Sequence, residues 1–387
     1  MTTEPGETPL TSDYMDIAQL RFALSCSNAP DKENLQTKLL AYIKEKAMVP
    51  FYLSTCEMLG WSVDAELQST MEAANASELA ALAEKLAHAE QNEGESEICA
   101  ALRARAEFYM RIGEKTKAFE ALEETYAKTV GLGPRLDVLL TKLRACLFHY
   151  DAKMVAATIE KAKSLLEDGG DWERRNRLKV YEAVYLISVR NFKKAAALLL
   201  DSIATFTASE LISYNTFVMY TVLTSLLALP RSELKTKVID APEILQVIGE
   251  IPNLAELVNG MYDCQYRTLM RALVNIIDTM STDRFLTLHA RYYWRELRVL
   301  AYTQFLESYA SVSLASMALS FGVSSSFLDT ELAGFIATER ISCKIDKVNG
   351  VVSSTRPDSK NAQYQATIKQ GDLLLNRLQK LSRVINI

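Results

Sequence analysis

Residues 326–357, "SFLDTELAGFIATERISCKIDKVNGVVSSTRP", change their hydrophobic period halfway along and thereby decide the fold. The first half spaces Leu332, Phe335 and Ile336 at helical intervals, and Ser326 and Asp329 stand in the relation of a capping box that opens this helix. The second half alternates as a strand does, turns over residues 346–350 and then resumes. Its apolar positions are Ile341, Cys343, Ile345, Val351 and Val352. The segment predicts a helix followed by a two-stranded hairpin.

Two further amphipathic helices are predicted before this one, over residues 297–306 and 314–321. Short helices that lead into a two-stranded wing are typical of a winged helix, which we expect at about residues 310–357. Its predicted core consists of Leu314, Phe321, Leu328, Leu332, Phe335 and Ile336. The edge of its hairpin would offer unpaired backbone groups to another protein, and the residues predicted there are Cys343, Ile345, Val351 and Val352.

Residues 291–365 resemble the winged-helix part of a PCI domain, the module shared by the proteasome lid, the signalosome and translation initiation factor three. Three more segments narrow the resemblance: "LPRSELKTKVIDAPEIL" (229–245), "YDCQYRTLMRAL" (262–273) and "IKQGDLLLNRLQKLSRVI" (368–385). They are similar to one family of proteasome lid subunits, the non-ATPase regulatory subunit six, which is paralogous to the largest signalosome subunit. The resemblance covers residues 40–387 and is weakest before them.

The resemblance implies a structural subunit without catalytic activity, which takes part in assembly of the regulatory particle and in ubiquitin-dependent protein degradation. It implies a hetero-oligomer in the cytoplasm and nucleus, with other PCI subunits, the deubiquitinating subunit and the ATPase base as partners. PCI subunits associate through their winged helices, and their C-terminal helices gather into a bundle. Two alternatives stay open: the equivalent subunit of the signalosome or another PCI complex, and a PCI protein that binds nucleic acid.

Composition favours a long, mainly helical chain. Among 387 residues, 49% are hydrophobic and only 14 are Gly and 9 Pro, so the sequence predicts few turns and ample buried core. The six cysteines are scattered without a CxxC pair, as reduced thiols of a cytosolic or nuclear protein are. No signal peptide is predicted at the polar start. The most apolar stretch, residues 217–229, is too short to span a bilayer and predicts a buried helix, so we expect no membrane partner.

Charge is distributed unevenly along the chain. Residues 1–100 carry 17 acidic and 6 basic side chains, whereas residues 333–387 carry 4 acidic and 9 basic ones. Solvated helix faces account for such an asymmetry, and we favour that interpretation. The alternative is that the two ends meet different partners through complementary surfaces.

The hydrophobic pattern between the acidic N-terminal region and the basic C-terminal region predicts stacked helical hairpins. Turns are expected at residues 113–114, 150–151 and 191–192, and the small residues Ala118, Ala156 and Ala195 recur 38 and 39 positions apart. This spacing suits a right-handed α-solenoid of tetratricopeptide-like repeats followed by the winged helix. The predicted division is a disordered segment 1–12, N-terminal helices 13–94, repeats 95–230, a PCI domain 231–357 and a C-terminal bundle helix 361–387.

The last predicted helix, residues 361–387, carries an apolar seam at Tyr364, Ile368, Leu375, Leu378, Leu381 and Ile385. We expect the two ends of the solenoid to be occupied by the N-terminal helices and the winged helix. No intramolecular place is then left for the seam, so a helix of another subunit is predicted to cover it.

The sequence offers no converging set of catalytic residues. His88, His149 and His289 lie in separate predicted helices without metal-ligand spacing. The "GEKT" of residues 113–116 lacks the glycine loop and strand of a phosphate-binding motif, and no nucleophile signature or dinucleotide fingerprint occurs. We therefore predict no enzyme activity, cofactor, metal or small-molecule substrate.

Nucleic-acid binding is the alternative function of a winged helix. The helix that would read the groove carries Asp329, Glu331 and Glu339 against Arg340, although phosphate contact requires a positive surface. The wing has Lys344, Lys347 and Arg356 but no interleaved aromatic residues. We predict no specific binding to nucleic acid.

Overall fold

The computed structural model describes residues 13–26, 31–92, 94–167, 169–355 and 359–385. The segment predicted to be disordered, residues 1–12, lies outside them, as do Arg356 and Pro357. Within the described residues the chain is helical apart from one small sheet.

The first eleven helices lead from the N-terminal region through the array of hairpins. They are α1 (Asp13–Ser25), α2 (Lys32–Glu45), α3 (Val49–Leu59), α4 (Ala65–Asn92), α5 (Glu95–Ile112), α6 (Lys115–Lys128), α7 (Leu132–Phe148), α8 (Ala152–Glu167), α9 (Trp172–Ser188), α10 (Phe192–Ser202) and α11 (Tyr214–Ala228). From α4 onward each helix packs mainly against its neighbours in the chain. This arrangement confirms the predicted helical solenoid.

The second part of the chain contains shorter helices and the sheet. Its helices are α12 (Arg231–Leu234), α13 (Pro242–Leu245), α14 (Leu254–Tyr262), α15 (Tyr266–Thr282), α16 (Ala290–Glu307), α17 (Leu314–Phe321), α18 (Ser325–Ala337) and α19 (Ser359–Ile385). A π-helical turn (Lys235–Ile239) lies between α12 and α13. The strands are β1 (Ser311–Ser313), β2 (Cys343–Asp346) and β3 (Val351–Ser354).

One turn geometry joins the helices of successive hairpins. After α5, α7 and α9 the chain passes through a left-handed residue, namely Gly113 (φ 82°), Tyr150 (φ 57°) and Arg190 (φ 67°). At each turn the next residue donates its N–H to a carbonyl five positions back, at 3.1, 3.0 and 2.8 Å. Such a bond satisfies a carbonyl that the helix end leaves without a partner. The predicted turn positions are therefore correct, and their sites follow from helix-end hydrogen bonding.

The predicted register of the repeat is wrong by one residue in the middle hairpin. Counted from the left-handed residue of each turn, the position equivalent to Ala118 and Ala195 is Val155, which is buried, whereas Ala156 is only half-buried. Small size is thus not required at this position. Gly113 is different, because a Cβ there would lie 2.9 Å from the Cβ of Phe51 on α3. This turn therefore requires glycine for two reasons: a side chain would come too close to Phe51, and the backbone is in the left-handed conformation.

The sheet has three strands and not the predicted two. Its order is β1-β3-β2, with both pairs antiparallel, and Val312 and Ile345 both pair with Val352. β1 escaped prediction because a three-residue "SVS" segment carries no measurable alternation. The helix before the wing also opens earlier than expected. Ser324, and not Ser326, caps α18, because its hydroxyl accepts the N–H of Phe327 at 3.3 Å.

The residues predicted for the winged-helix core differ in depth. Phe321, Leu328 and Leu332 are almost inaccessible and Phe335 is buried. Leu314 and Ile336 are half-buried at the margin of the same apolar cluster. The ring of Phe321 contacts Tyr302 of α16 edge to face at 4.8 Å and Tyr266 of α15 face to face at 4.6 Å. Aromatic packing therefore fixes the winged helix against the preceding helices.

The loop between α15 and α16 connects three parts of the molecule. Asp283 accepts hydrogen bonds from the hydroxyl of Tyr220 on α11 at 2.7 Å and from the N–H groups of residues 285 and 286. Arg284 donates to the carbonyl of Phe148 at the end of α7 at 2.6 Å. Gln19 of α1 donates to the carbonyl of residue 282 at 2.7 Å and accepts the Arg284 N–H at 3.1 Å.

These bonds correct the expected position of the first helix alone. α1 packs on α2 and α3 and also reaches α7 and this loop, while α4 packs on α5 at the start of the array, as expected for the N-terminal helices. The sequence predicted helices in this region, but it held no information about which surface α1 would cover. Among the described residues, no helix combines the length and apolar character needed to cross a membrane.

We expect acid to destabilise the protein through His149. Burial, followed by the charges of Lys115, Arg21 and Arg284, lowers the pKa of His149 to about 4, against 6.5 for the free side chain. The unfolded state therefore takes up its proton first. The stability that depends on the neutral ring is complete above pH 6.5 and is lost as the pH falls toward 4.

Between pH 7 and pH 5 this linkage should remove about 2 kcal/mol of unfolding free energy. His149→Gln, which cannot titrate, should lose correspondingly less over the same interval. Urea denaturation of both proteins at the two pH values measures the difference. Equal losses in the two proteins would contradict the assignment.

Truncating the winged-helix core should be costly. Phe335→Ala should destabilise this region by about 3–5 kcal/mol, because it opens a cavity at a buried position. Phe327→Ala is the matched control on the same helix: its ring is 44% exposed, and the cost should stay below about 1 kcal/mol. Hydrogen exchange of peptides from residues 311–355, followed through urea unfolding, measures both. Similar values for the two variants would show that Phe335 is not a core residue.

Candidate protein-interaction surfaces

The groups that catalysis would require do not converge in the described part of the chain. His88 is exposed, whereas His149 and His289 are enclosed in different places. The ring of His289 is held structurally, since its Nε2 lies 2.8 Å from the carbonyl of Ser188 and its Nδ1 accepts Arg190 Nε at 3.2 Å. No group of three His, Cys, Asp or Glu side chains among these residues is arranged to hold a metal ion.

The "GEKT" segment is an inter-helix turn. Gly113 has the left-handed conformation of a helix end, and Lys115 forms an ion pair with Asp151 of the next hairpin at 2.8 Å. Its lysine thus joins two repeats, which is a structural task.

Of the two hairpin strands, only β2 lies at an edge of the sheet. β3 is the central strand, so Val351 and Val352 do not lie on an edge, contrary to the prediction. The side chains of Cys343 and Val352 point into the core, while Ile345 and Val351 are half-buried. β1 forms the opposite edge. Any contact made by these edges would therefore use backbone N–H and C=O groups of β2 or β1, as strand addition does.

The surface of α18 is electrically balanced. Asp329 pairs with Lys347 of the wing at 3.1 Å, and Glu331 pairs with Arg298 of α16. Glu331 also accepts the hydroxyl of Tyr302 at 2.6 Å. Arg340, the cation at the end of this helix, donates to Glu296 at 2.7 Å. Arg340 and Lys347 therefore already have carboxylate partners, whereas contact with a phosphate backbone depends on free positive charge.

The C-terminal helix α19 exposes its apolar side chains. The six seam residues are between 52% and 71% exposed: Tyr364, Ile368, Leu375, Leu378, Leu381 and Ile385. Three exposed residues were missed by the sequence reasoning, namely Leu373, Leu374 and Val384. Leu373 lies two positions from Leu375, which puts it on the opposite side of a helix of 3.6 residues per turn, and Val384 shares that side. A helix exposed in this way is an aggregation liability unless other chains cover it.

Comparison with known proteins agrees with this geometry. Family models match the chain over residues 64–237 (26S proteasome subunit RPN7), 274–356 (PCI domain) and 363–385 (the C-terminal helix of 26S proteasome regulatory subunit RPN7/PSMD6). The chain is 50% identical to the 26S proteasome non-ATPase regulatory subunit 6 homolog of Arabidopsis thaliana, over 97% of both chains. It is 37% identical to the 26S proteasome regulatory subunit RPN7 of Saccharomyces cerevisiae, over 96% of this chain and 93% of that protein.

The fold and these surfaces define a PCI-domain protein with a helical solenoid and a C-terminal helix. Within that class, the chain belongs to the family of 26S proteasome non-ATPase regulatory subunit 6, also called RPN7. The signalosome is a more distant relative: the COP9 signalosome complex subunit 1 of A. thaliana is 28% identical over 51% of this chain and 45% of that protein. The resemblance described from sequence is confirmed, including the separate match of the tail.

We expect the purified protein to lack salt-dependent affinity for nucleic acid. The ion pairs at Asp329, Glu331 and Arg340 leave little free positive charge around α18. Fluorescence anisotropy with labelled duplex DNA and single-stranded RNA, at physiological ionic strength, measures the affinity. Submicromolar binding that weakens with added salt and is abolished by Lys344→Glu would overturn this expectation.

Proposed function

We propose that the protein is a non-catalytic scaffold subunit of the proteasome regulatory-particle lid. In this role it takes part in assembly of the particle and in ubiquitin-dependent protein degradation, in the cytoplasm and nucleus. The observation that carries the proposal is the exposed apolar surface of α19, in a chain whose relatives are named as regulatory subunits of the proteasome. Its partners are other PCI subunits and the deubiquitinating subunit of the lid, together with the ATPase base.

The exposure of α19 supports a bundle of several helices. Each Leu or Ile that becomes buried contributes roughly 1.5–3 kcal/mol. Several together offset the cost of bringing two proteins into one complex, which is on the order of 4–15 kcal/mol. Leu373 and Val384 lie on the side opposite Leu375, so one partner helix would leave apolar surface uncovered. Two or more partner helices around α19 are therefore needed.

The winged helix supplies a second contact in the proposal. A neighbouring PCI subunit would extend the sheet at β2 or β1, where backbone groups rather than large apolar side chains are available. Cys343 and Ile345 on β2 are the residues nearest this edge, and Val351 and Val352 support it from the central strand. The proposed units are residues 13–94, 95–230, 231–357 and 361–387.

The same function in the signalosome is the second candidate. A PCI domain and a C-terminal helix by themselves fit either complex. The proteasome is favoured because identity to its subunits extends over nearly the whole chain, whereas the signalosome relative matches only about half of it.

The experiment that tests the proposal changes the seam without removing the helix. Leu375→Glu combined with Leu378→Glu introduces two charges where apolar packing is proposed. Gln365→Glu combined with Asn376→Glu adds the same charge off the seam, on the polar side of the helix. Both pairs of positions are exposed, so neither variant should lose folded structure by circular dichroism.

Affinity purification from cells that express each tagged variant measures incorporation into the lid. We expect the seam variant to lose it and the control to keep it, with deletion of residues 361–387 giving the same loss as the seam variant. Unchanged incorporation of the seam variant would refute the assembly role of α19. Recovery of the unmodified protein with signalosome subunits alone would refute the choice of complex.

A further inference from the structure

A cavity of about 400 Å³ lies where α1, α4, α5 and α7 meet. Its lining combines apolar and charged groups, and those that matter here are Tyr14, Glu78, Glu107, Phe108, Arg111 and Arg144. Volumes of this size are usual for sites that bind small molecules. The cavity is remote from the winged helix and from α19, so neither interaction surface accounts for it.

Arg144 is the principal group of this cavity. It lies on α7 with only 6% of its surface exposed, and among the described residues none accepts a hydrogen bond from its guanidinium or forms an ion pair with it. A guanidinium has five N–H donors and remains charged in proteins. Arg144 lines the cavity, so its remaining accessible surface faces that space and an acceptor can reach it there. The position therefore suits an anion.

Tyr14 adds a second group without a partner. Its ring stacks on Phe148 at 4.1 Å, one helical turn from Arg144, and its enclosed hydroxyl has no hydrogen-bond partner in the described part of the chain. Burial raises the pKa of the Tyr14 phenol well above its usual value, while Arg144 acts in the opposite direction. The phenol consequently keeps its proton and can act only as a neutral donor or acceptor beside the arginine.

The carboxylates that line the cavity are engaged elsewhere. Glu78 pairs with Arg111, and Glu107 pairs with Arg103 at 3.0 Å. Neither is therefore available to Arg144. Phe108 and Met110 complete the wall and provide apolar surface next to the charged groups.

We propose that this cavity binds a small organic anion whose carboxylate or phosphate group lies against Arg144 and whose apolar body lies against Phe108. The ligand would contact α1, α5 and α7 together. Its binding would therefore stabilise the docking of the N-terminal helix on the array. This site is independent of the proposed role in the lid.

The test uses the purified full-length protein with phenyl phosphate, benzoate and inorganic phosphate as probes, and benzyl alcohol as the neutral control. We expect a rise in the unfolding temperature that depends on the concentration of phenyl phosphate or benzoate and is absent with benzyl alcohol. The comparison of these two probes distinguishes a phosphate from a carboxylate ligand. Inorganic phosphate alone should act more weakly, because it lacks the apolar body. Hydrogen exchange in residues 13–26 should slow when the anion is present.

Arg144→Met should abolish the shift, because the variant has no cation at this position to pair with the anion. Tyr14→Phe keeps the stacked ring and should weaken anion binding about fivefold or more, as loss of a hydrogen bond to a charged group does. Lys163→Met, on α8 and paired with Glu182 away from the cavity, should bind the anion unchanged.

Three results would overturn the proposal. The first is the absence of a shift with all three anions, and the second is a shift that persists in both Arg144→Met and Tyr14→Phe. The third is binding that appears only when Glu4→Gln and Glu7→Gln are combined, which would mean that the chain's own N-terminal carboxylates take the place of the ligand. Should Arg144→Met fail to fold, the comparison of Tyr14→Phe with Lys163→Met decides.

Discussion

The arrangement of the N-terminal half depends on how one loop satisfies its buried charges. Asp283 and Arg284 are both enclosed at the end of α15. Such charges are tolerated only when hydrogen bonds replace the lost water, and here the replacements come from three distant parts of the chain. The Tyr220 hydroxyl donates to the carboxylate of Asp283, and the guanidinium of Arg284 donates to the carbonyl of Phe148. Gln19 forms hydrogen bonds with the loop backbone. Because the partners are 63 to 265 residues away, these bonds can form only when α1, α7 and α11 are in place.

A local constraint builds the array that this loop holds together. Every helix end leaves carbonyl groups without partners, and a left-handed residue lets the chain satisfy them while it reverses direction. The same solution appears outside the three predicted repeats, at Ala47 between α2 and α3 and at Cys264 between α14 and α15. Helical hairpins therefore extend from the N-terminal region to the helices before the winged helix. Stacking such units buries a continuous core, which extends through the winged helix into the sheet, where Cys343 and Val352 are buried.

The ion pairs and hydrogen bonds of some regions contrast with one exposed apolar surface and one cavity that holds an unpaired arginine. The ion pairs around α18 and the hydrogen bonds of His289 leave little that calls for a partner. The apolar side chains of α19 are exposed along nearly the whole helix, and Arg144 lines a cavity in which none of the described residues pairs with it. The first condition is typical of a subunit that is completed by other proteins. The second is typical of a site that is completed by a ligand. Each follows from the cost of exposing apolar surface or burying charge.

The sequence by itself determined those features that depend on near neighbours in the chain. The helical period, the turns after α5, α7 and α9, the change to strand alternation before β2 and the seam of α19 are all local patterns, since hydrogen bonds within helices and turns join residues only a few positions apart. The sequence-based prediction was wrong in detail where several residues could serve as a helix cap or where a strand was too short to show alternation. Ser324, Ser325 and Ser326 stand together, and the choice of Ser324 as the cap depends on where α18 packs. The three residues of β1 became a strand only because β3 lay beside them.

Tertiary structure alone decided which distant surfaces meet. The sequence of α1 specifies a helix but not the surface it covers, so its position beside α7 followed from the contacts of Gln19 with residue 282 and of Tyr14 with Phe148. The cavity around Arg144 arises from four helices that no local pattern relates. Long-range packing is specified by the shape and hydrogen-bonding groups of both partners, and a single stretch of sequence contains only one of them.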